Sequence, residues 1–127
     1  MKNKILLIDD EAEIRNLLTR ALSARGYQVS SAASGAEAKR ILLDTVPDLI
    51  ISDLQLEDTD GLALIADLKR SNPMTEIILL TGVLFDSETI RKTLAGGISL
   101  YLEKTMPLLS IIAEVDRICQ RSPRPAS

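Results

Sequence analysis

Short aliphatic runs alternate with helical periodicities along the whole chain. The runs are KILLI (4–8), QVSSA (28–32), DLIIS (48–52), EIILL (76–80) and ISLYL (98–102). Runs this short and this continuously apolar predict strands covered on both faces, as in a parallel sheet. QVSSA is the weakest of them, which places it nearer an edge.

The segments between the runs predict amphipathic helices with readable ends. The first carries Ile14, Leu17, Leu18, Ala21 and Leu22 on one face and stops at Gly26, a residue suited to a left-handed cap. The second opens at Ser34, with Glu37 at capping-box spacing, and ends before Pro47. The third runs from Gly61, with Leu62, Ile65 and Leu68 on its apolar stripe, and closes before SNP (71–73). The fourth spans Ser87 to Gly96-Gly97. The fifth begins near Pro107 and presents Leu108, Ile111, Ile112, Val115 and Ile118. Residues 122–127 read as a linker-like or frayed tail, so the domain is expected over 1–121.

Five strands alternating with five helices predict a single doubly wound α/β domain, (βα)5, with right-handed crossovers and helices on both faces. Sites in such folds lie at the carboxyl ends of the strands. There the first strand delivers Asp9 and Asp10, the third Asp53, the fourth Thr81, and the fifth Lys104. Each has a bland reading of its own. Asp10 would serve as a cap for the first helix, Asp53 as a loop opener, Thr81 before Gly82 as a turn, and Lys104 as a solvated charge. Their arrival at one edge from four separate loops favours a shared site. Adjacent carboxylates repel, and a divalent cation would hold them together.

Composition narrows the chemistry. The chain has 127 residues, 46% of them apolar and 26% charged, an ordinary balance for one globular domain. A net charge of −3 leaves no basic field for nucleic acid or an acidic membrane surface. No apolar run approaches the length of a membrane span, and no signal-peptide core follows the start. A single cysteine, Cys119, fits a reducing, cytoplasmic setting. Histidine is absent, which removes the commonest zinc ligand and general base and any phosphohistidine chemistry within the chain.

LLIDDE, DLIISDLQLEDTDG, IILLTG and YLEK, in this order and spacing, resemble the receiver domains of bacterial two-component response regulators from Lys4 to about Arg121. The resemblance implies the flavodoxin-like strand order 2-1-3-4-5. It implies that Asp53 accepts a phosphoryl group from a sensor histidine kinase or phosphotransfer protein, with Mg2+ bound. Asp10 would then be a direct metal ligand, Asp9 a ligand acting through water, and Gln55 the donor of a backbone carbonyl. Thr81 and Lys104 would contact the phosphoryl group, and Thr81 with Tyr101 would form the switch, read at the fourth helix, fifth strand and fifth helix. Such a domain is a signalling module with only slow self-catalysed phosphorylation and dephosphorylation, not an enzyme. It acts on a downstream protein or a fused output domain, and either a single-domain regulator or a receiver from a longer chain is consistent with the sequence.

Several positions depart from the family pattern. Glu57 stands where proline is usual, Thr59 where a bulky apolar residue is usual, and Thr105 where proline follows the lysine. Leu100 replaces an acidic residue that pairs charges across dimers, so contacts on that face are expected to be more apolar. With Thr105 in place of proline, the Lys104–Thr105 bond is expected to be trans, leaving Lys104 further from Asp53 at rest. Gln55 and Val83 stand at the positions that tune attack by water. Two rivals fit less well. A haloacid-dehalogenase-like phosphatase needs an Asp-x-Asp pair after the first strand, which IDDEAE lacks. A flavodoxin-like carrier needs a first loop that cradles phosphate, whereas Asp9-Asp10-Glu11 repels it.

Overall fold

Strand and helix alternate from the first described residue to the last: β1 Lys4–Ile8, α1 Ala12–Ala24, β2 Gln28–Ala32, α2 Gly35–Leu42, β3 Leu49–Ser52, α3 Gly61–Ser71, β4 Glu76–Thr81, α4 Ser87–Ala95, β5 Leu100–Glu103 and α5 Leu108–Gln120. The structure is a computed structural model that describes residues 4–53, 56, 58, 61–82 and 87–120, apart from the side chains of 89, 90, 93 and 94. The expected tail, together with Gln55, Glu57, Thr59 and Val83, lies outside the described residues.

The strands form one parallel sheet in the order β2-β1-β3-β4-β5. Alternate side chains along each strand enter opposite layers. Ile5, Leu7, Leu49, Ile51, Ile78, Leu80 and Leu102 pack under α1 and α5, against Leu18, Leu22, Ile112 and Val115. Leu6, Ile8, Ile50, Ile77 and Leu79 face the other way, against Ala38 of α2 and Leu64, Ile65 and Leu68 of α3. The central strands are therefore apolar on both faces. β2 is an edge strand whose first four residues are exposed or half-buried, which accounts for the weak hydrophobicity of QVSSA.

The ends of the elements have local causes. α1 closes in a Schellman arrangement: Gly26 has φ +97°, its N–H donates to Ser23 O at 3.0 Å, and Tyr27 N donates to Leu22 O at 3.2 Å. At α2, Ser34 Oγ accepts from Glu37 N at 3.1 Å, while the Glu37 carboxylate accepts from Ala33 N at 2.6 Å. The reciprocal bond thus lands one residue earlier than a regular capping box. Asp58 completes this end from the β3–α3 loop. Its carboxylate accepts from Gly35 N at 2.9 Å and Ala36 N at 3.0 Å, so the first three helical N–H groups all have partners.

β5 is where sequence and structure differ most. The strand starts at Leu100 rather than Ile98, because Gly97 turns the chain with φ +104° and Ser99 N then donates to Ile77 O at 2.8 Å. Ile98 is buried in the α2–α3 layer without joining the strand. The far end extends to Glu103, which pairs with Thr81. Asp48 likewise lies just outside β3, although its N–H donates to Lys4 O at 2.8 Å.

Two outcomes test these ends. Gly26→Ala and Gly97→Ala both force a side chain into left-handed backbone, each at about 1–2 kcal/mol. At Gly97 a Cβ would also meet Lys69 Cε at 3.2 Å, and Lys69 is tethered by its bond to Thr75 O at 2.9 Å. At Gly26 a Cβ would meet nothing within 4 Å. Gly97→Ala should therefore lower the urea midpoint more; equal shifts would discount the Lys69 contact.

The second outcome concerns acid. The N–H groups of Gly35 and Ala36, and then the charge of Lys39, hold the Asp58 carboxyl below the usual aspartate range. Its contribution to stability is thus full above the unfolded value, about pH 3.9, and is lost as pH falls through the lower folded value. The stability gap between wild type and Asp58→Asn should narrow as urea unfolding is repeated from pH 6 towards pH 3. A gap that stays constant would detach this carboxylate from α2.

Candidate functional site

The parallel ladder carries the acidic residues to one edge. Asp9 N donates to Ala32 O at 3.0 Å and Asp53 N to Ile8 O at 3.0 Å, so both continue the sheet one residue beyond their strands. Their carboxylates are nearly sealed from water, with Asp9 1% and Asp53 4% exposed. Asp10 follows on the turn and is partly exposed. One oxygen from each of Asp9, Asp10 and Asp53 can be chosen so that all lie within 4.8 Å of one another. Helix capping does not account for Asp10. The N-cap of α1 is Glu11, whose side chain makes no capping bond.

A cation of the protein's own reaches into this cluster. Lys104 Nζ lies 2.8 Å from Asp53 Oδ2 and 2.9 Å from Asp9 Oδ2, and it also contacts the Glu11 carboxylate. Its side chain is 11% exposed. The peptide bonds of the described residues are all trans, Lys104–Thr105 included, yet the expected withdrawal of Lys104 from Asp53 does not occur. The long flexible stem lets the ammonium follow the carboxylates without help from the backbone isomer.

The electrostatics are mutual. Burial raises the Asp9 pKa, opposed by its hydrogen bonds from Lys104 and Glu11 N, with the Asp53 charge adding to the rise. Burial disfavours the Lys104 ammonium, but the hydrogen bonds to Asp53, Glu11 and Asp9 outweigh it and hold its pKa above the usual lysine value. Lys104 is therefore charged at neutral pH.

The other expected residues take defined places. Thr81 is fully buried at the end of β4, and its carbonyl accepts from Lys104 N at 2.9 Å. A Cβ on Gly82 would stand 3.9 Å from Lys104 Cδ, so the lysine stem runs beside this turn. Tyr101 is half-buried against the α2–α3 layer, and Leu100 against the α1–α5 layer. Gln55, expected to lend a carbonyl, lies outside the described residues. Two contacts carry no sequence signal. Arg15 donates from its guanidinium to Asp9 O at 2.7 Å, fixing the β1–α1 turn, and the Glu11 carboxylate goes to Lys104. Among the described residues no helix is long and apolar enough to cross a membrane.

Three closely placed carboxylates on a strand edge form a hard, all-oxygen donor set that fits a divalent cation such as magnesium or calcium and not a soft metal. Known proteins carry similar sequences and folds. The chain is 32% identical over 118 residues to the transcriptional regulatory protein GlrR of Escherichia coli K12, covering 93% of this chain and 26% of that protein. It spans about a quarter of the length of the curated relatives it first matches. A response regulator from Burkholderia pseudomallei, solved with a phosphorylated aspartic acid, a calcium ion and citrate, is 33% identical with a TM-score of 0.78, covering 87% of this chain and 65% of that one. The Thermotoga maritima response regulator TrrA, solved with Mg2+-BeF, is 27% identical with a TM-score of 0.79, covering 91% and 98%. Residues 5–116 match the family described as the response regulator receiver domain, and the chain belongs to that family.

Proposed function

We propose that the chain is a phosphorylation-controlled switch of a two-component pathway, with Asp53 as the phosphoacceptor. The supporting observation is the meeting of three carboxylates and the Lys104 ammonium at the carboxyl edge of the sheet, with Lys104 2.8 Å from Asp53. A sensor histidine kinase or phosphotransfer protein is the donor. An Asp53 oxygen forms the new bond to phosphorus as the phosphorus–nitrogen bond of the donor breaks, and the electron pair stays on the leaving imidazole. Lys104 offsets charge on the phosphoryl oxygens, and the Thr81 hydroxyl donates to one of them.

Mg2+ held by Asp9, Asp10, Asp53 and the Gln55 carbonyl would neutralise the remaining charge. Both Asp9 oxygens are already engaged, one by Glu11 N at 2.8 Å and the other by Lys104. This supports Asp10 as the direct ligand and Asp9 as one acting through water.

The output follows from the same contacts. New bonds from the phosphoryl group to Thr81 and Lys104 favour one of two states, and Tyr101 moves with Thr81 to alter the surface around α4, β5 and α5. That surface is read by a downstream protein or a fused output domain. The domain itself does not bind nucleic acid, in keeping with its net charge of −3. It works in the cytoplasm, and its self-catalysed phosphorylation and dephosphorylation are slow.

Acetyl phosphate with magnesium should add one phosphoryl group to wild type by intact mass. The adduct should vanish with a chelator and in Asp53→Asn. A mutant labelled as well as wild type would displace Asp53 as the acceptor. Magnesium titration should show Asp9→Asn losing about tenfold in affinity, as for partners acting through water, and Asp10→Asn losing more. Equal losses would remove the distinction between the two.

A further inference from the structure

We infer that Glu11 is a positioning residue that competes with the incoming phosphoryl group for the Lys104 ammonium, and so sets how fast Asp53 is phosphorylated; this rests on the receiver reading above. An ammonium has three donors, and here it meets three carboxylates: Asp9, Asp53 and Glu11. The first two are buried and tied into the sheet ladder. Glu11 differs from both. Its side chain is 59% exposed, and although it stands at the N-cap of α1 it makes no capping bond there. Its backbone serves the site separately, through the N–H bond to Asp9 Oδ1.

A phosphoryl group on Asp53 needs a donor from Lys104, so one existing contact has to give way. Asp9 and Asp53 are held by burial and backbone, which leaves the exposed Glu11 as the contact that yields. Until it does, the ammonium is drawn towards the outer rim of the site and away from the phosphorus. Removing the Glu11 carboxylate should cost the start of α1 no capping bond and commit Lys104 to Asp53.

The test is the rate of labelling by acetyl phosphate at saturating magnesium, where changes in cation affinity do not enter. Glu11→Ala should react about two- to five-fold faster than wild type, the range set by losing one exposed ion pair. In a Lys104→Ala background the same substitution should change nothing. An unchanged rate for Glu11→Ala overturns the inference. So does an acceleration that persists without Lys104, since that reports general repulsion of the anionic donor. If the Lys104→Ala proteins react too slowly to time, the same cycle is read from beryllofluoride affinity with magnesium present, with the same two results deciding. A wild-type protein that takes no label on Asp53 overturns the receiver reading itself, whereas a labelled wild type with an indifferent Glu11 overturns this inference alone.

Discussion

Parallel register between β1 and β3 forces two buried carboxylates to lie side by side. Ile8 pairs with Ser52, so the residues that follow, Asp9 and Asp53, leave their strands at the same level. Burial makes that juxtaposition expensive unless positive charge is close. Lys104 supplies it from the turn after β5, which lies two strands beyond β3 in the sheet order. The turn after β1, the buried end of β4 and the loop after β5 are all arranged around this one neutralised pair.

Much of this was legible in the sequence because it is local or periodic. Aliphatic runs marked the strands, and the polar QVSSA marked an edge because an edge strand has less to bury. Gly26 and Ser34 announced helix ends through chemistry confined to a few neighbouring residues. The strand-end positions of Asp9, Asp10, Asp53, Thr81 and Lys104 followed from the alternation of elements. Several of the missed features depend on distant partners. Asp58 reaches the start of α2 across more than twenty residues, and Ser99 leaves the strand pattern because of a bond to Ile77. The resting place of Lys104 is set by the attraction of three carboxylates from distant elements and not by the identity of Thr105.

The Asp58 contacts tie the β3–α3 loop to a neighbouring helix. The usual proline is replaced by Glu57, and a residue one place further on is instead fastened to a neighbouring helix. Loop and α2 are joined through the helix N-terminus, where a carboxylate is favoured by both hydrogen bonding and the helix dipole. At the opposite end of the sheet, Tyr27 and Arg25 hold Asp116 of α5, the tyrosine hydroxyl donating at 2.6 Å. Layers on both faces are thus tied to their neighbours by polar contacts as well as by packing.

The ammonium lodged between Asp9 and Asp53 also bears on ionic discrimination. A potassium or sodium ion arriving at that edge brings no more charge than the lysine already there, and it must shed water to take its place. A divalent ion brings twice the charge of that ammonium. Competition from this resident ammonium therefore weighs against monovalent cations at the cluster of carboxylates.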